Sequence, residues 1–334
     1  MKIKVEGKTI GDNSPVYIIG EAGINHNGQI KNAKKMVDIA KKSGADAIKF
    51  QTFKAEDLTT PDSIYYKVFK KAELDYSDFG EISDYSKQLG ITFLSTPFSE
   101  DASDFLEEIK VPIYKISSGD LTHLPLLKHV AKKKKPIIIS TGMSSLEEIK
   151  TAIKTICKEN NNKILILHSV SGYPTPIKDS NILAINMLKE KFPYPIGYSD
   201  NGSNELVPLV AVSAGAKIIE KHFTISKKMN VPDKNISVNP NELKKLILNI
   251  RNVEKILGID VKKVQPSEEK IKKIARRSVI AKCQIEKGTK ISTEMLMIKR
   301  PGSGIPPSSI SHIIGKTTKK MIKIYEPLSW SKIG

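Results

Sequence analysis

Short apolar runs that end in polar residues alternate with amphipathic stretches from residue 16 to residue 255. The runs are VYIIGE (16–21), AIKFQ (47–51), TFLSTP (92–97), IYKISSG (113–119), PIIISTG (136–142), ILILHS (164–169), PIGYSD (195–200) and KIIEKHF (217–223). Between them lie helical patterns such as IKNAKKMVDIAKKSG, where Ile30, Ala33, Met36, Val37 and Ala40 recur at helical spacing. Short β-runs alternating with helices predict parallel strands. Eight such units over this length match a closed (β/α)8 barrel of the TIM type. The alternative, an open doubly wound sheet, lacks a G-x-G-x-x-G after the first run.

The pattern changes after residue 257. LGIDVKKVQPSEEKIKKIA is strongly charged, and from Arg276 onward short β-like runs are broken by EKGT and RPGSGIPP. The expected organisation is a barrel over 1–257, a linker over 258–275 and a small β-rich domain over 276–334. A core of that size is marginal alone, so the small domain is expected to pack on the barrel or on a partner subunit.

Composition narrows the class. Of 334 residues, 39% are hydrophobic and 27% charged, as in a globular protein. No run has the length of a membrane span, and the first residues lack a signal peptide's apolar stretch, so a cytoplasmic protein without membrane partners is expected. Two cysteines, Cys157 and Cys283, make neither a disulfide framework nor a zinc site. The net charge of +18 invites nucleic acid. Against it, the basic residues are nearly all lysine. The arginines suited to bidentate base and phosphate contacts are only Arg251, Arg276, Arg277 and Arg300. A lysine-rich surface around an anionic substrate is the preferred account.

Barrel enzymes carry their chemistry at the carboxyl ends of the strands. Here every run ends in polar groups: Glu21, Asn25 and His26; Lys49 and Gln51; Ser95 and Thr96; Lys115, Ser117 and Ser118; Ser140 and Thr141; His168 and Ser169; Ser199, Asp200 and Asn201; Glu220, Lys221 and His222. Lys49 and Lys115 sit inside apolar text, where a lysine either snorkels or meets an anion. Two of them at one mouth would suit a phosphate and a carboxylate. The Ser/Thr pairs serve as hydroxyl donors or as turn and capping residues. With Glu21, His26 and Asp200 near one rim, His222 makes a divalent metal plausible; a satisfied interior histidine is the other reading.

The series EAGINHNG, KFQTF, STPF, KISSGD, STGM, GYSD and EKHF, with KRPGSGI near the end, resembles the N-acetylneuraminate (sialic acid) synthase family. That family includes legionaminic and pseudaminic acid synthases and spore-coat polysaccharide synthases, and the resemblance covers the whole chain. It implies a barrel followed by an antifreeze-like (SAF) domain. It also implies condensation of phosphoenolpyruvate with an N-acylated mannosamine-type sugar, giving a nine-carbon 2-keto sugar acid and phosphate. A divalent metal is implied, Mn²⁺ first and Mg²⁺ or Co²⁺ as substitutes, as is a homodimer in which each tail reaches over the partner's barrel. By the same resemblance Lys49, Thr96, Lys115, Ser118, Ser140 and Ser199 match phosphoenolpyruvate positions. Glu21 matches a carboxylate near the reacting sugar, Gln51, Tyr173 and Asp233 match sugar-site positions, and Arg300 matches a contact to the N-acyl group. His222 matches a metal ligand. Three positions depart from the family pattern. Asn201 stands where a second metal-binding histidine is usual, Ser171 where sialic acid synthases carry Asn, and Val231 where glycine usually precedes the PD pair. These departures leave three readings: a sialic acid synthase, a relative acting on another amino sugar, or a weakened homologue that binds without turnover.

Overall fold

A computed structural model describes all residues, 1–334, as two compact units, Met1–Gly258 and Ile259–Gly334. The first unit opens with an antiparallel hairpin, β1 (Lys2–Val5) and β2 (Lys8–Gly11). Its turn residues Glu6 and Gly7 both have positive φ, as a two-residue hairpin turn demands. Eight parallel strands then close into a barrel: β3 (Tyr17–Gly23), β4 (Ala47–Thr52), β5 (Thr92–Pro97), β6 (Tyr114–Ile116), β7 (Ile137–Ser140), β8 (Ile164–Ser169), β9 (Ile196–Asp200) and β10 (Ile218–His222), which pairs back with β3. They are the eight runs read from the sequence with shifted ends: β3 and β4 run further at their carboxyl ends, β5 and β8 match, and β6 is cut to three residues from IYKISSG.

Strand alternation divides the apolar residues between two cores. Ile18, Ile48, Phe50, Phe93, Ile137, Ile139, Ile166 and Ile219 face the helices. Tyr17, Ile19, Ala47, Leu94, Ile113, Ile138, Leu165, Leu167 and Ile218 point into the barrel, and Ile3, Val5 and Ile10 of the hairpin join them. The hairpin was not foreseen from the sequence. It supplies apolar side chains that cover the lower barrel core. The helices carry ordinary end signals. Ser99, Ser145 and Asn239 accept backbone hydrogen bonds at helix starts, and Gly44 and Gly90 end helices in the left-handed conformation.

The second unit holds β11 (Ser278–Ala281) paired antiparallel with β12 (Leu296–Lys299), isolated bridges such as Ile285–Ile322, and a core of Val279, Ile285, Ile291, Ile305, Ile313, Ile322 and Leu328. The expected linker 258–275 is not featureless. Gln265 and Glu268 form a reciprocal cap, a helix runs over Glu269–Ala275, and Gly302 donates its N–H to the carbonyl of Lys273 at 2.8 Å. The RPGSGI loop is braced again by Ser278, whose hydroxyl donates to the Pro301 carbonyl at 2.6 Å and accepts from the Gly304 N–H at 2.9 Å. Gly304 is required, because a Cβ there would lie 2.7 Å from the Leu328 carbonyl oxygen.

Candidate active site

The inward rows of the strands change character near their carboxyl ends. Ile19 is followed two residues later by Glu21, and Ala47 by Lys49 and Gln51. Leu94 leads to Thr96, Ile113 to Lys115, Ile138 to Ser140, Leu167 to Ser169, Gly197 to Ser199, and Ile218 to Glu220 and His222. Because the period is two, the first polar side chain of each row stands directly above an apolar residue or, in β9, above Gly197, and Gln51 and His222 stand one layer higher above Lys49 and Glu220. The result is a polar cup on an apolar floor, with a small cavity of about 70 Å³ lined by these residues and by Ser118, Tyr173 and Asn201. Register aligns it further: Glu21 lies beside Lys49 on one side and His222 on the other, and Glu220 lies beside Ser199.

The centre of the cup is a buried charge network. Lys49 Nζ lies 2.9 Å from Glu21 Oε2, 3.3 Å from Thr96 Oγ1 and 3.6 Å from Glu220 Oε2. Lys115 Nζ lies 3.8 Å from Glu220 Oε1 and donates to the Ile116 carbonyl at 3.1 Å. The Ser199 hydroxyl donates to Glu220 Oε1 at 2.8 Å, and Gln51 Nε2 donates to Glu21 Oε1 at 3.3 Å. Glu21, Lys49, Lys115 and Glu220 are all below 5% exposed. Yet Ser140 Oγ has no partner, and Glu220 Oε2 and His222 Nδ1 are buried without a hydrogen bond, facing only Lys49 at 3.6 Å and Asp233 at 3.5 Å. A fold alone rarely leaves so many such atoms open at one point, whereas a ligand site does.

The two carboxylates are driven apart. Burial lifts Glu21 above the ordinary carboxylate range, against Lys49 and with help from repulsion by Glu220. Burial opposes ionisation of Glu220 too, but Lys115 and Lys49, with the Ser199 hydroxyl, hold it down at about 2. Burial works against the Lys49 ammonium, and its two carboxylate neighbours outweigh it and raise its pKa. Lys115 has only the one close carboxylate and repulsion from Lys49, so burial lowers it to about 8. Glu21 is thus the group suited to carrying a proton, and Glu220 a permanent anion between two lysines.

His222 faces the loop that follows β10. Its Nδ1 lies 3.5 Å from Asp233 Oδ2, and that carboxylate raises the imidazole pKa although burial opposes it. Gly23 makes this convergence possible. With φ at +52°, a Cβ there would sit 3.0 Å from Asp233 Oδ2, 3.4 Å from Glu21 Oε1 and 3.5 Å from His222 Cε1. Asn25 fixes the loop: its Nδ2 donates to the Phe223 carbonyl and to Ser237 Oγ, and its Oδ1 accepts from the Asp233 N–H at 3.1 Å. The polar run after β3 is therefore part site and part brace.

The structure separates other strand-end residues from the cup. His26 packs against Phe50 at 5.9 Å between ring centroids, and burial lowers its pKa to about 4. Asp200 has the opposite parity to Ser199, and its carboxylate pairs with outward-facing Lys221 at 2.6 Å. A metal set of Glu21, His26, Asp200 and His222 is therefore not brought together, and no group of three or more His, Cys, Asp or Glu side chains is arranged to hold a metal. Within the Ser/Thr pairs, Thr96 and Ser140 face the cup. Ser95 instead bonds Thr52 and the Thr141 hydroxyl donates to the Leu167 carbonyl, whereas Ser117 borders the cup but donates its hydroxyl to Asp120. Ser118 lines the cup while accepting from the Gly142 N–H. Asn201 Nδ2 donates to Ser169 Oγ and to the Val170 carbonyl, which leaves its amide oxygen free of those bonds. Tyr173 is an exposed rim residue, and Arg300 is exposed on the second unit. Glu220 was named at its strand end but given no role. Its parity with Ile218 and His222 was the available signal.

A larger cavity, about 810 Å³, lies at the other end of the barrel. Its carboxylates are already engaged, Asp46 with Lys8 and Arg251, and Glu254 with Arg251 and the Val16 N–H. Volume alone therefore does not mark the chemistry.

Comparison with known proteins agrees with the layout. Residues 36–262 match the model of the NeuB family, and residues 276–334 match the SAF domain. The chain belongs to the NeuB family. An uncharacterized protein of Methanocaldococcus jannaschii is 46% identical over 95% of this chain and 94% of its own length. The N,N'-diacetyllegionaminic acid synthase of Legionella pneumophila is 41% identical over 99% and 98%. Among solved structures, the N-acetylneuraminic acid (sialic acid) synthetase of Leptospira borgpetersenii has a TM-score of 0.78 and 38% identity, covering 81% of this NeuB-family chain and 95% of that one. No helix is long and apolar enough to cross a membrane.

Proposed function

We propose that this protein is a nonulosonic acid synthase that condenses phosphoenolpyruvate with an N-acylated mannosamine-type sugar. The observation that carries the reading is the buried Lys49–Glu220–Lys115 arrangement beside a separately tuned Glu21. Two ammonium groups deep in a barrel mouth suit a ligand with two anionic ends, and the Thr96, Ser118, Ser140 and Ser199 hydroxyls add donors around it. The named synthases among the relatives support the same class.

The proposed condensation would use these positions as follows. The alkene carbon of phosphoenolpyruvate forms a bond to the sugar's aldehyde carbon, and the aldehyde oxygen takes a proton. Water adds to the carbon bearing the phosphate, and phosphate departs with its bridging oxygen, leaving a 2-keto acid. Lys49 and Lys115 bind and orient the anionic ends. Glu220 offsets their charge, and as a permanent carboxylate it would stabilise positive charge that develops on the phosphate-bearing carbon. Glu21, with Gln51 holding one oxygen, handles a proton at the reacting sugar. Asp233 and Tyr173 bind the sugar's hydroxyls.

The donor set fits a loosely held cation: a buried imidazole whose Nδ1 makes no hydrogen bond and faces the Asp233 carboxylate, and an amide oxygen free of the bonds that fix its nitrogen. His222 and Asn201 would hold such an ion, Mn²⁺ first, and it would supply Lewis-acid polarisation of the aldehyde. Phosphate release from phosphoenolpyruvate, assayed against a panel of N-acyl sugars with and without Mn²⁺, tests the reading. Release that depends on one class of sugar supports it. No release with any sugar overturns it in favour of a binding-only homologue.

A further inference from the structure

The strand faces turned away from the cup carry a second buried charge pair. On these outward rows Ile18, Ile48, Phe93, Ile137, Ile166 and Ile219 face the helices. The carboxyl ends of β9 and β10 break that pattern, where Tyr198 leads to Asp200 and Ile219 to Lys221. Both charged side chains are only 1% exposed. Neither takes part in the proposed condensation, which leaves their burial without a chemical reason.

Stability is a weak reason. Taking two charges out of water costs about as much as their attraction returns, and apolar residues of similar size serve as well or better. What the pair does fix is geometry. Lys221 Nζ lies 2.6 Å from Asp200 Oδ2 and also donates to the Gly202 carbonyl. Asp200 Oδ1 accepts from the Gly202 N–H at 3.1 Å and from the Tyr198 hydroxyl at 3.4 Å. One ion pair therefore holds both main-chain polar groups of Gly202. Asn201 lies between the two tied residues, and its own carbonyl accepts from the Thr175 N–H at 3.0 Å. With the main chain held on both sides and Nδ2 bonded to Ser169 and Val170, the direction of the Asn201 amide oxygen is set.

Register shows what the pair spans. Lys221 and Asp200 are the last residues paired between β10 and β9, directly after Glu220 and Ser199. The next residues along are His222 and Asn201, which line the cup with no such pairing to each other. The ion pair is thus the last cross-strand tie below the two residues that would hold the cation. Its net charge is zero, so it adds little to the field in the cup, and what it passes on is position.

We propose that Lys221 and Asp200 form a positioning clamp that sets the separation of His222 and Asn201, and thereby how tightly the cup holds a divalent cation. The proposal rests on the function proposed above, and within it on the cation. Neither residue is a ligand or touches substrate. Both act through the ligand beside them in the chain, as outer-shell partners of a metal site do.

The test compares the wild type with Lys221→Met, Asp200→Asn and the double variant. The double variant buries no unpaired charge, so it folds even where a single variant fails. Mn²⁺ binding is measured without either substrate, by electron paramagnetic resonance of the free and bound ion. Phosphoenolpyruvate binding is measured by calorimetry in chelator. The expected result is a loss of about tenfold in Mn²⁺ affinity, the order seen when an outer-shell partner is removed. The loss is similar in the double variant and in either single one, because the two residues act as a unit. Phosphoenolpyruvate affinity stays unchanged, since Lys49, Thr96, Lys115 and Ser140 stand on other strands. A merely structural pair gives another pattern: the thermal midpoint falls while the folded double variant binds Mn²⁺ as the wild type does, which overturns the clamp. A wild type that takes up no Mn²⁺ overturns it too. Failure of the condensation itself reads differently: the difference in Mn²⁺ affinity persists while no sugar releases phosphate from phosphoenolpyruvate.

Discussion

Replacing Lys115 with Met should make the barrel more stable and the cup less competent. Lys115 is 3% exposed, with one carboxylate at 3.8 Å and a second lysine in the same network. Burial, only partly offset by Glu220, lowers its pKa from 10.5 to about 8. That drop corresponds to about 3 kcal/mol by which the folded barrel disfavours the ammonium relative to the unfolded chain. The penalty is fully present below about pH 8 and is relieved as pH rises toward 10.5, because there the folded state holds fewer protons than the unfolded one. Methionine fills similar space without the charge, and Glu220 keeps Lys49 and the Ser199 hydroxyl as partners. Urea unfolding at neutral pH should therefore show Lys115→Met more stable than the wild type, by up to about 3 kcal/mol. The difference should vanish near the ordinary lysine value of 10.5. Calorimetry should show that the same variant binds phosphoenolpyruvate at least about tenfold more weakly, since a charge-assisted contact is lost. A variant that is less stable at neutral pH, or a stability difference that ignores pH, would refute the charge-burial reasoning.

Glu21→Gln should fold with wild-type stability and lose most turnover, because the amide keeps the shape and removes the proton-carrying group; full activity by phosphate release would remove Glu21 from the mechanism. Activity should fall in excess chelator, and Asn201→His should tighten the apparent Mn²⁺ affinity, imidazole being the better transition-metal ligand; an unchanged metal titration would place Asn201 outside the metal site. Arg300, on a loop braced by Ser278, is expected to complete the sugar site of a partner subunit. Mixing inactive Lys115→Met and Arg300→Ala proteins should then restore part of the activity after subunit exchange, and a mixture that never recovers would contradict completion in trans.

The barrel was legible because its strands are near-continuous apolar runs, the mark of a sheet covered on both faces. The terminal hairpin was not, since KIKV and KTIG are too short to show a period and only Ile3, Val5 and Ile10 against the barrel floor give them a role. Strand-end chemistry was legible as a list but not as a geometry. Glu220, Lys221 and His222 are consecutive, yet parity sends Glu220 and His222 into the cup and Lys221 outward to Asp200. His26 looked like a ligand in the sequence and is a packing residue against Phe50, a tertiary contact that local pattern does not encode. Conversely, the dense polar text after β3 includes Asn25, whose bonds to Phe223, Ser237 and Asp233 span some two hundred residues of chain.

The central claim is that the cup joins phosphoenolpyruvate to an amino sugar with cleavage of the carbon–oxygen bond to phosphate. Phosphoenolpyruvate labelled with ¹⁸O at the bridging oxygen tests it most directly, with mass spectrometry of both products. The account predicts a nine-carbon 2-keto sugar acid without the label and inorganic phosphate that carries it. Unlabelled phosphate, or labelled phosphate released equally without a sugar, would contradict it.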